Sequence, residues 1–178
     1  IMGKRKNKLS KEEQAEVEEW IYQNNTEETR MTDTMTIRVK CKTENQKILV
    51  NAIKEKEVVI CSGPAGTGKT FLACAEALKL IKRNGKYKKI VIVKSVTTLK
   101  NEEIGFLKGN LREKMEPFMF SFVHNFEKIV GQSITSRLRE LKTIEELPIA
   151  YMRGINLDRS IIIIDEAQNI SQENMRTI

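Results

Sequence analysis

The stretch that most restricts this chain is Gly63-Pro64-Ala65-Gly66-Thr67-Gly68-Lys69-Thr70. It lies between a short β-branched run, Glu57 to Cys61, and a helical pattern carrying Leu72, Ala73, Ala77, Leu78 and Ile81. It satisfies G-x-x-x-x-G-K-[ST] in the setting that this motif requires, a strand entering a glycine-rich turn that opens a helix. The glycines let successive backbone N–H groups turn inward around an anion, and the helix start adds its partial positive charge. Gly63, Pro64, Ala65, Gly66, Thr67 and Gly68 then form a phosphate cradle. Lys69 is placed to reach the β- and γ-phosphates of a nucleotide, and the Thr70 hydroxyl to complete a Mg²⁺ shell. The plainer reading is a glycine-rich loop with a surface lysine, and it leaves the strand-to-helix setting unexplained.

A phosphate loop needs a second element, because a metal must be held from the opposite side and water must be positioned. Ile161-Ile162-Ile163-Ile164-Asp165-Glu166 supplies one. An apolar strand carries Asp165 to the carboxyl edge of a sheet, where Thr70 also lies, so that its carboxylate holds Mg²⁺ directly or through water. Glu166 beside it is the natural general base for water. By itself, an Asp that starts a turn after a strand explains the pair equally well; the phosphate loop upstream tips the balance. A Glu directly after the Asp also argues against a GTPase-type site, where a glycine-bearing loop follows the strand.

The rest of the chain is consistent with one domain built around these elements. Its 178 residues suffice for a core without staples. Strands are expected over Glu57–Cys61, Lys89–Lys94 and Ser160–Asp165. Helical patterns run from about Thr43 through Ile53 (Ile48, Leu49 and Ala52 apolar), Lys69 to Lys82, Asn110 to Val130, and Thr135 to Glu146. Strands that are continuous apolar runs alternating with helices predict an α/β fold, a parallel sheet with helices on both faces. Ahead of it, Ser10 and Glu13 form a capping box before a short amphipathic helix with Val17, Trp20 and Ile21. Polar, aperiodic Asn24 to Thr36 reads as a linker, which divides the chain into 1–36 and 37–178.

Charge is uneven. The net charge is +7, and the stretch from Lys82 to Lys114 holds ten basic and three acidic residues, so it accounts for all of it. That is either a polyanion footprint or a solvated lysine-rich face. The three cysteines, Cys41, Cys61 and Cys74, have no C-x-x-C spacing, and His124 is the one histidine, which argues against a disulfide framework and a zinc site. No segment is apolar enough to span a bilayer and no secretory signal opens the chain, so the expected location is the cytoplasm with no membrane partner.

Through these residues and the segments around them, the chain resembles the PhoH family of ATPases, and especially the PhoH-like proteins of bacteriophages, which would place it in a host cytoplasm. The matching segments are GPAGTGKTFLACAEAL (63–78), GFLKGNLREKMEPF (105–118), AYMRGINLD (150–158) and IIIIDEAQN (161–169), with the pair Asn45-Gln46. The resemblance implies a P-loop NTPase of RecA-like fold, related to superfamily 1 helicases, with ATP and Mg²⁺ as ligands and a link to RNA or single-stranded DNA. Cellular members carry an arginine and a proline after the second strand, where Lys94-Ser95-Val96-Thr97-Thr98 stands here.

Gln46 matches a glutamine that reads adenine in helicase-like relatives, although Thr43-x-x-Gln46 is equally a capping box. Gln168 matches a position suited to sensing the γ-phosphate; the alternative is a polar residue opening the next helix. In related helicases the loop after the second strand touches the nucleic-acid backbone, which nominates Lys94, Thr97, Thr98 and Lys100 as phosphate contacts. Arg153 fits a phosphate contact or a loop anchor. Phe118, Phe120, Phe122 and Phe126 suit core packing better than base stacking, and His124 receives no role. Relatives continue beyond the position of Ile178 with a sensor strand that lies between the phosphate-loop strand and the Asp165 strand. A C-terminal part is therefore expected to be missing, and Ile1 before Met2 suggests a cut reading frame. The expected activity is MgATP hydrolysis, with water held by Glu166. The rivals are an ATP-driven nucleic-acid motor and a nucleotide switch acting through a protein partner, and a homo-oligomer stays open.

Overall fold

A computed structural model of the chain describes residues 31–94, 111–149 and 155–176, together with positions 15, 16, 19, 22 and 152. Ser10, Glu13, Val17, Trp20, Ile21, Thr97, Thr98, Lys100 and Arg153 lie outside the described residues. In chain order the elements are α1 (Glu44–Glu55), α2 (Lys69–Asn84), β1 (Lys89–Lys94), α3 (Leu111–Val130), α4 (Gln132–Glu140), β2 (Ile144–Pro148), β3 (Ser160–Asp165) and, after a 3-10 turn at Ala167–Asn169, the short α5 (Gln172–Met175).

The three strands form a parallel sheet in the order β2-β1-β3. Ile90 of β1 faces Ile144 on one side and Ile161 on the other, and Lys94 faces Pro148 and Asp165. All three strands therefore end at one edge. Parallel pairing requires long crossovers, and α3 with α4 supplies the one from β1 to β2. Continuous apolar strands suit this arrangement because both faces are covered. Ile90 and Ile92 pack with Ala75, Leu78 and Ile81 of α2, Phe122, Phe126 and Ile129 of α3, and Leu138 of α4. Val91 and Val93 point the other way and are covered, with Ile162 and Ile164, by Leu147, Ile149, Met152 and Leu157. Each such side chain contributes roughly 1.5–3 kcal/mol by leaving water.

The structure corrects five expectations. The run Glu57–Cys61 is extended but joins no ladder among the described residues, and Val58 and Ile60 are 80% and 94% exposed. Its composition favours a strand, but extended backbone needs a neighbour to pair with, and none of the described residues pairs with it.

The helical pattern over Thr135 to Glu146 splits. α4 stops at Glu140, Lys142 takes a left-handed φ of 57°, and Ile144–Pro148 becomes β2. β-Branched Thr143 and Ile144 favour this, since they lose less side-chain freedom in a strand than in a helix.

The linker expected over Asn24 to Thr36 is not free at its end. Residues 31–34 are helical, Met35 is fully buried in the core, and Lys82 Nζ donates to the carbonyls of Asp33 (3.0 Å) and Met35 (2.7 Å). One large apolar side chain and two backbone acceptors are enough to fasten a segment that has no periodicity.

In α1 the buried residue is Val50, while Ile48 is exposed, so the apolar stripe is rotated from the expected one. The phenylalanines divide as well. Phe122 and Phe126 are core, whereas Phe120 is exposed and stacks on His124; Phe118 has no described side chain.

Candidate nucleotide site

The sheet's carboxyl edge collects the residues singled out from the sequence. The loop from Gly63 to Gly68 leads into α2 with Gly66 and Gly68 at φ of 75° and 83°. A side chain in that conformation would cost about 1–2 kcal/mol. Gly68 is the N-cap of α2, which has no side-chain capping bond and no acidic residue in its first turn. The leading N–H groups of the helix therefore stay available to an anion. Thr67 Oγ1 donates to the Pro64 carbonyl (2.9 Å) and closes the loop on itself. Lys69 Nζ donates to the carbonyls of Gly63 and Pro64, both at 2.8 Å. The ammonium thus sits over the mouth of the loop, where an incoming phosphate oxygen could replace either carbonyl with a charge-assisted bond.

The two halves of the motif meet across 95 residues. Thr70 Oγ1 donates to Asp165 Oδ1 at 3.3 Å, both side chains half-buried. A hydroxyl and a carboxylate at this separation are hard oxygen donors on one side of a phosphate loop, a set suited to Mg²⁺. One turn further along α2, the buried Cys74 thiol is pushed up to about 12, first by burial and then by the charge of Asp165, against a lowering backbone hydrogen bond. The sequence offered no sign of this neighbour of Asp165, since Cys74 reads there as one more small residue on the helix.

Glu166 follows at φ 52°, a left-handed position rare for a side chain of its size. The 3-10 turn after it is closed by Asn169 N–H to the Glu166 carbonyl (2.9 Å), and Gln168 Nε2 makes a short hydrogen bond to Glu166 Oε2. Gln168 therefore engages Glu166 directly.

Gln46 lies at the other flank of the loop. Thr43 Oγ1 accepts the Gln46 backbone N–H (3.3 Å), which is half of a capping box, but the carboxamide does not return to Thr43. It accepts from Lys42 N–H (2.6 Å) and donates to the Thr67 carbonyl (3.1 Å), tying the start of α1 to the phosphate loop 21 residues away. The approach is close enough that a Cβ on Gly68 would stand 3.6 Å from Gln46 Nε2. Gln46, the 63–68 loop, Lys69, Thr70, Asp165, Glu166 and Gln168 are thus brought to one edge. Of the nominated nucleic-acid contacts only Lys94 is described, and its backbone ends β1 opposite Asp165.

Comparison with known proteins agrees with this assembly. Residues 38–178 match the family model described as PhoH-like protein. The chain is 38% identical over 169 residues to a PhoH-like protein of Bacillus subtilis (strain 168), covering 95% of this chain and 51% of that protein. It is 35% identical over 140 residues to a PhoH-like protein of Synechocystis (79% and 42% covered), and 30% identical over 143 residues to Protein PhoH of Escherichia coli K12 (79% and 40%). The chain spans about half the length of these curated relatives, or less. A family model matching most of the chain, over a parallel sheet whose edge gathers a G-x-x-x-x-G-K-T loop and an Asp-Glu pair, leaves one assignment: the chain belongs to the PhoH-like family.

Proposed function

We propose that the chain binds MgATP and hydrolyses it, in a protein coupled to RNA or single-stranded DNA. The observation that carries this reading is the Thr70 to Asp165 hydrogen bond at 3.3 Å, which closes the phosphate loop against the acidic strand. Lys69 and the N–H groups of Ala65 to Thr70 bind the β- and γ-phosphates. Thr70 and Asp165 hold Mg²⁺, which when bound neutralises charge on the phosphate oxygens. Glu166 accepts a proton from water, and Gln46 contacts the base. Catalysis on this reading is mainly positioning and charge stabilisation. The ATPase core takes in residues 37–178 together with the segment around Met35 that packs into it, in a cytoplasmic protein.

Two variants separate the roles. Lys69→Ala should abolish nucleotide binding, whereas Glu166→Gln should keep binding and lower turnover by at least about 100-fold, the scale of a lost general base. Isothermal titration with ATP and a phosphate-release assay on a chain of the relatives' length read both. Unchanged turnover in Glu166→Gln would remove Glu166 as the base.

One observation favours a second reading, a slowly cycling switch that acts through a protein partner. Glu166 Oε2 accepts a hydrogen bond from Gln168, a contact through which a partner that moves Gln168 would reorient the carboxylate. Turnover stimulated by a protein and indifferent to RNA supports the switch; stimulation by single-stranded RNA supports nucleic-acid coupling, including its stronger form, a motor.

A further inference from the structure

The basic stretch noted in the sequence divides in space. Lys94 ends β1 at the nucleotide edge, but Lys82, Arg83, Lys86, Lys88 and Lys89 lie at the end of α2 or the start of β1, at the opposite, amino edge of the sheet. Two further connections arrive there, 141–143 before β2 and 155–159 before β3. The backbone fastens them together. Lys88 N–H donates to the Arg159 carbonyl at 2.7 Å, and Ile90 N–H to the Thr143 carbonyl at 2.7 Å.

Those two bonds make a specific juxtaposition. Lys88 is bonded to Arg159 through its own N–H, and Lys142 directly precedes Thr143, whose carbonyl takes the N–H of Ile90 two residues after Lys88. Lys142, Lys88 and Arg159 thus stand on three chain segments fastened together at the amino edge, as one basic row. All three are exposed.

Two features of this row oppose the fold. Like charges gathered on neighbouring segments repel. In addition, Lys142 and Arg159 stand at φ of 57° and 53°, where glycine would be relaxed. Arg159 has a local role as well, since its guanidinium donates to the carbonyls of Gly85 and Lys86 and so compensates the end of α2. Among the described residues, no such contact of the Lys88 or Lys142 side chain explains them.

We propose that this amino-edge row is a binding site for the phosphate backbone of a single-stranded nucleic acid, on the side of the sheet opposite the nucleotide. It rests on the preceding reading only for the choice of polyanion. Arg83 and Lys86 extend the row, and Asp158 is the one carboxylate on the three connections. Ile155, at 37%, is the most exposed large apolar residue on them. A protein interface needs an apolar centre and a membrane surface needs aromatic or aliphatic anchors. A hydrophilic cationic row suits phosphates, and phosphate contacts carry no base information, so all sequences should bind alike.

The test uses the full chain and a fluorescein-labelled single-stranded oligouridylate, with anisotropy followed over a salt series. Each phosphate contact on a single strand contributes about −0.7 to the slope of log affinity against log salt. Lys88→Ser with Lys142→Gly should flatten the slope by about 1.4, while thermal unfolding is unchanged or higher because glycine suits the φ at 142. Lys88→Arg with Lys142→Arg should retain the wild-type slope. A charge-matched control on α1 and its exit, Lys54→Ser with Lys56→Ser, should flatten it by less than half as much. The proposal is overturned if the wild type does not bind, if the Lys88/Lys142 variant keeps the slope, or if the control loses as much. None of these outcomes touches MgATP binding, whose absence in the wild type would instead end the reading of the nucleotide edge.

Discussion

Two apolar runs of the same kind, Glu57–Cys61 and Lys89–Lys94, end in opposite conditions. In β1 every residue from Ile90 to Val93 is buried, with a strand on each side and cover on both faces. The other run leads directly into the phosphate loop, yet Val58 and Ile60 stand in solvent. β3 is intermediate. It pairs with β1 alone among the described residues, and its isoleucines are only half-buried. Composition states how much cover a strand wants, and its neighbours decide how much it receives. Among the described residues neither the exposed run nor the outer side of β3 has a ladder partner; the chain spans about half the length of its relatives, and a longer chain is expected to pair them.

The largest expected effect tests that reading directly. A chain of the relatives' length should hydrolyse MgATP at least about 10³-fold faster than these 178 residues, the scale of a single missing charge-stabilising arginine. Hydrogen exchange should also show the amides of residues 57–61 becoming protected in the longer chain. Equal turnover, with those amides still exchanging freely, would mean that the run is a loop in its own right.

Next in size is the contrast between two cysteines. Cys61 closes the exposed run, and Cys74 is buried in α2 beneath the sheet. Under a thiol reagent Cys61 should react at once, while Cys74 waits for unfolding and reacts at least about 10³-fold more slowly, as an opening free energy of about 5 kcal/mol implies. The raised Cys74 pKa also has a signed consequence. Its stabilising contribution is complete below the unfolded thiol's value, near 9, and is lost as pH rises toward about 12. Cys74→Ala should therefore flatten the alkaline side of the stability profile. Mass spectrometry of partly labelled protein, and urea melts against pH, read the two effects.

Smaller again is the cost of truncation. Ile92→Ala should destabilise by about 2–5 kcal/mol, whereas Ile60→Ser in this chain should fall within about 0.5 kcal/mol of wild type. Urea denaturation compares them. A loss above about 2 kcal/mol at Ile60 would show that its exposure misrepresents its packing.

The same contrast explains what could be read in advance. The phosphate loop and the Asp165-Glu166 pair were legible because their chemistry is local: contiguous residues set the turn, the helix start and the adjacent carboxylates. The parallel α/β architecture was legible from continuous apolar runs. What failed depended on distant partners. Val58 and Ile60 look like Ile90 and Ile92 until one asks what pairs with them. Met35 looks like part of a linker until Lys82, 47 residues on, takes its carbonyl. β2 was hidden because Leu141 and Ile144 to Leu147 continue a helical spacing, and only the left-handed turn at Lys142 breaks it. The Gln46 to Thr67 contact was half visible. Its capping partner is three residues away, but the acceptor that draws the side chain aside is 21 residues away.

The smallest effect expected lies in the turns at the carboxyl edge. Where the phosphate loop needs a left-handed residue it uses glycine, at Gly66 and Gly68; where β3 needs one it keeps Glu166. The first choice is relaxed and the second strained, by about 1 kcal/mol for a side chain in this region. A strained residue with an exposed carboxylate beside a metal-type donor pair suggests that the charge is retained for chemistry and not for folding. Glu166→Gly should therefore raise stability by about 1 kcal/mol, less a few tenths because glycine also frees the unfolded chain, and it should remove hydrolysis while leaving MgATP binding intact. Glu166→Gln keeps the strain and should leave stability unchanged. Urea melts of both variants beside their phosphate-release rates separate the two contributions. If Glu166→Gly is instead less stable than wild type, the hydrogen bond from Gln168 outweighs the strain, and the turn is held by that contact.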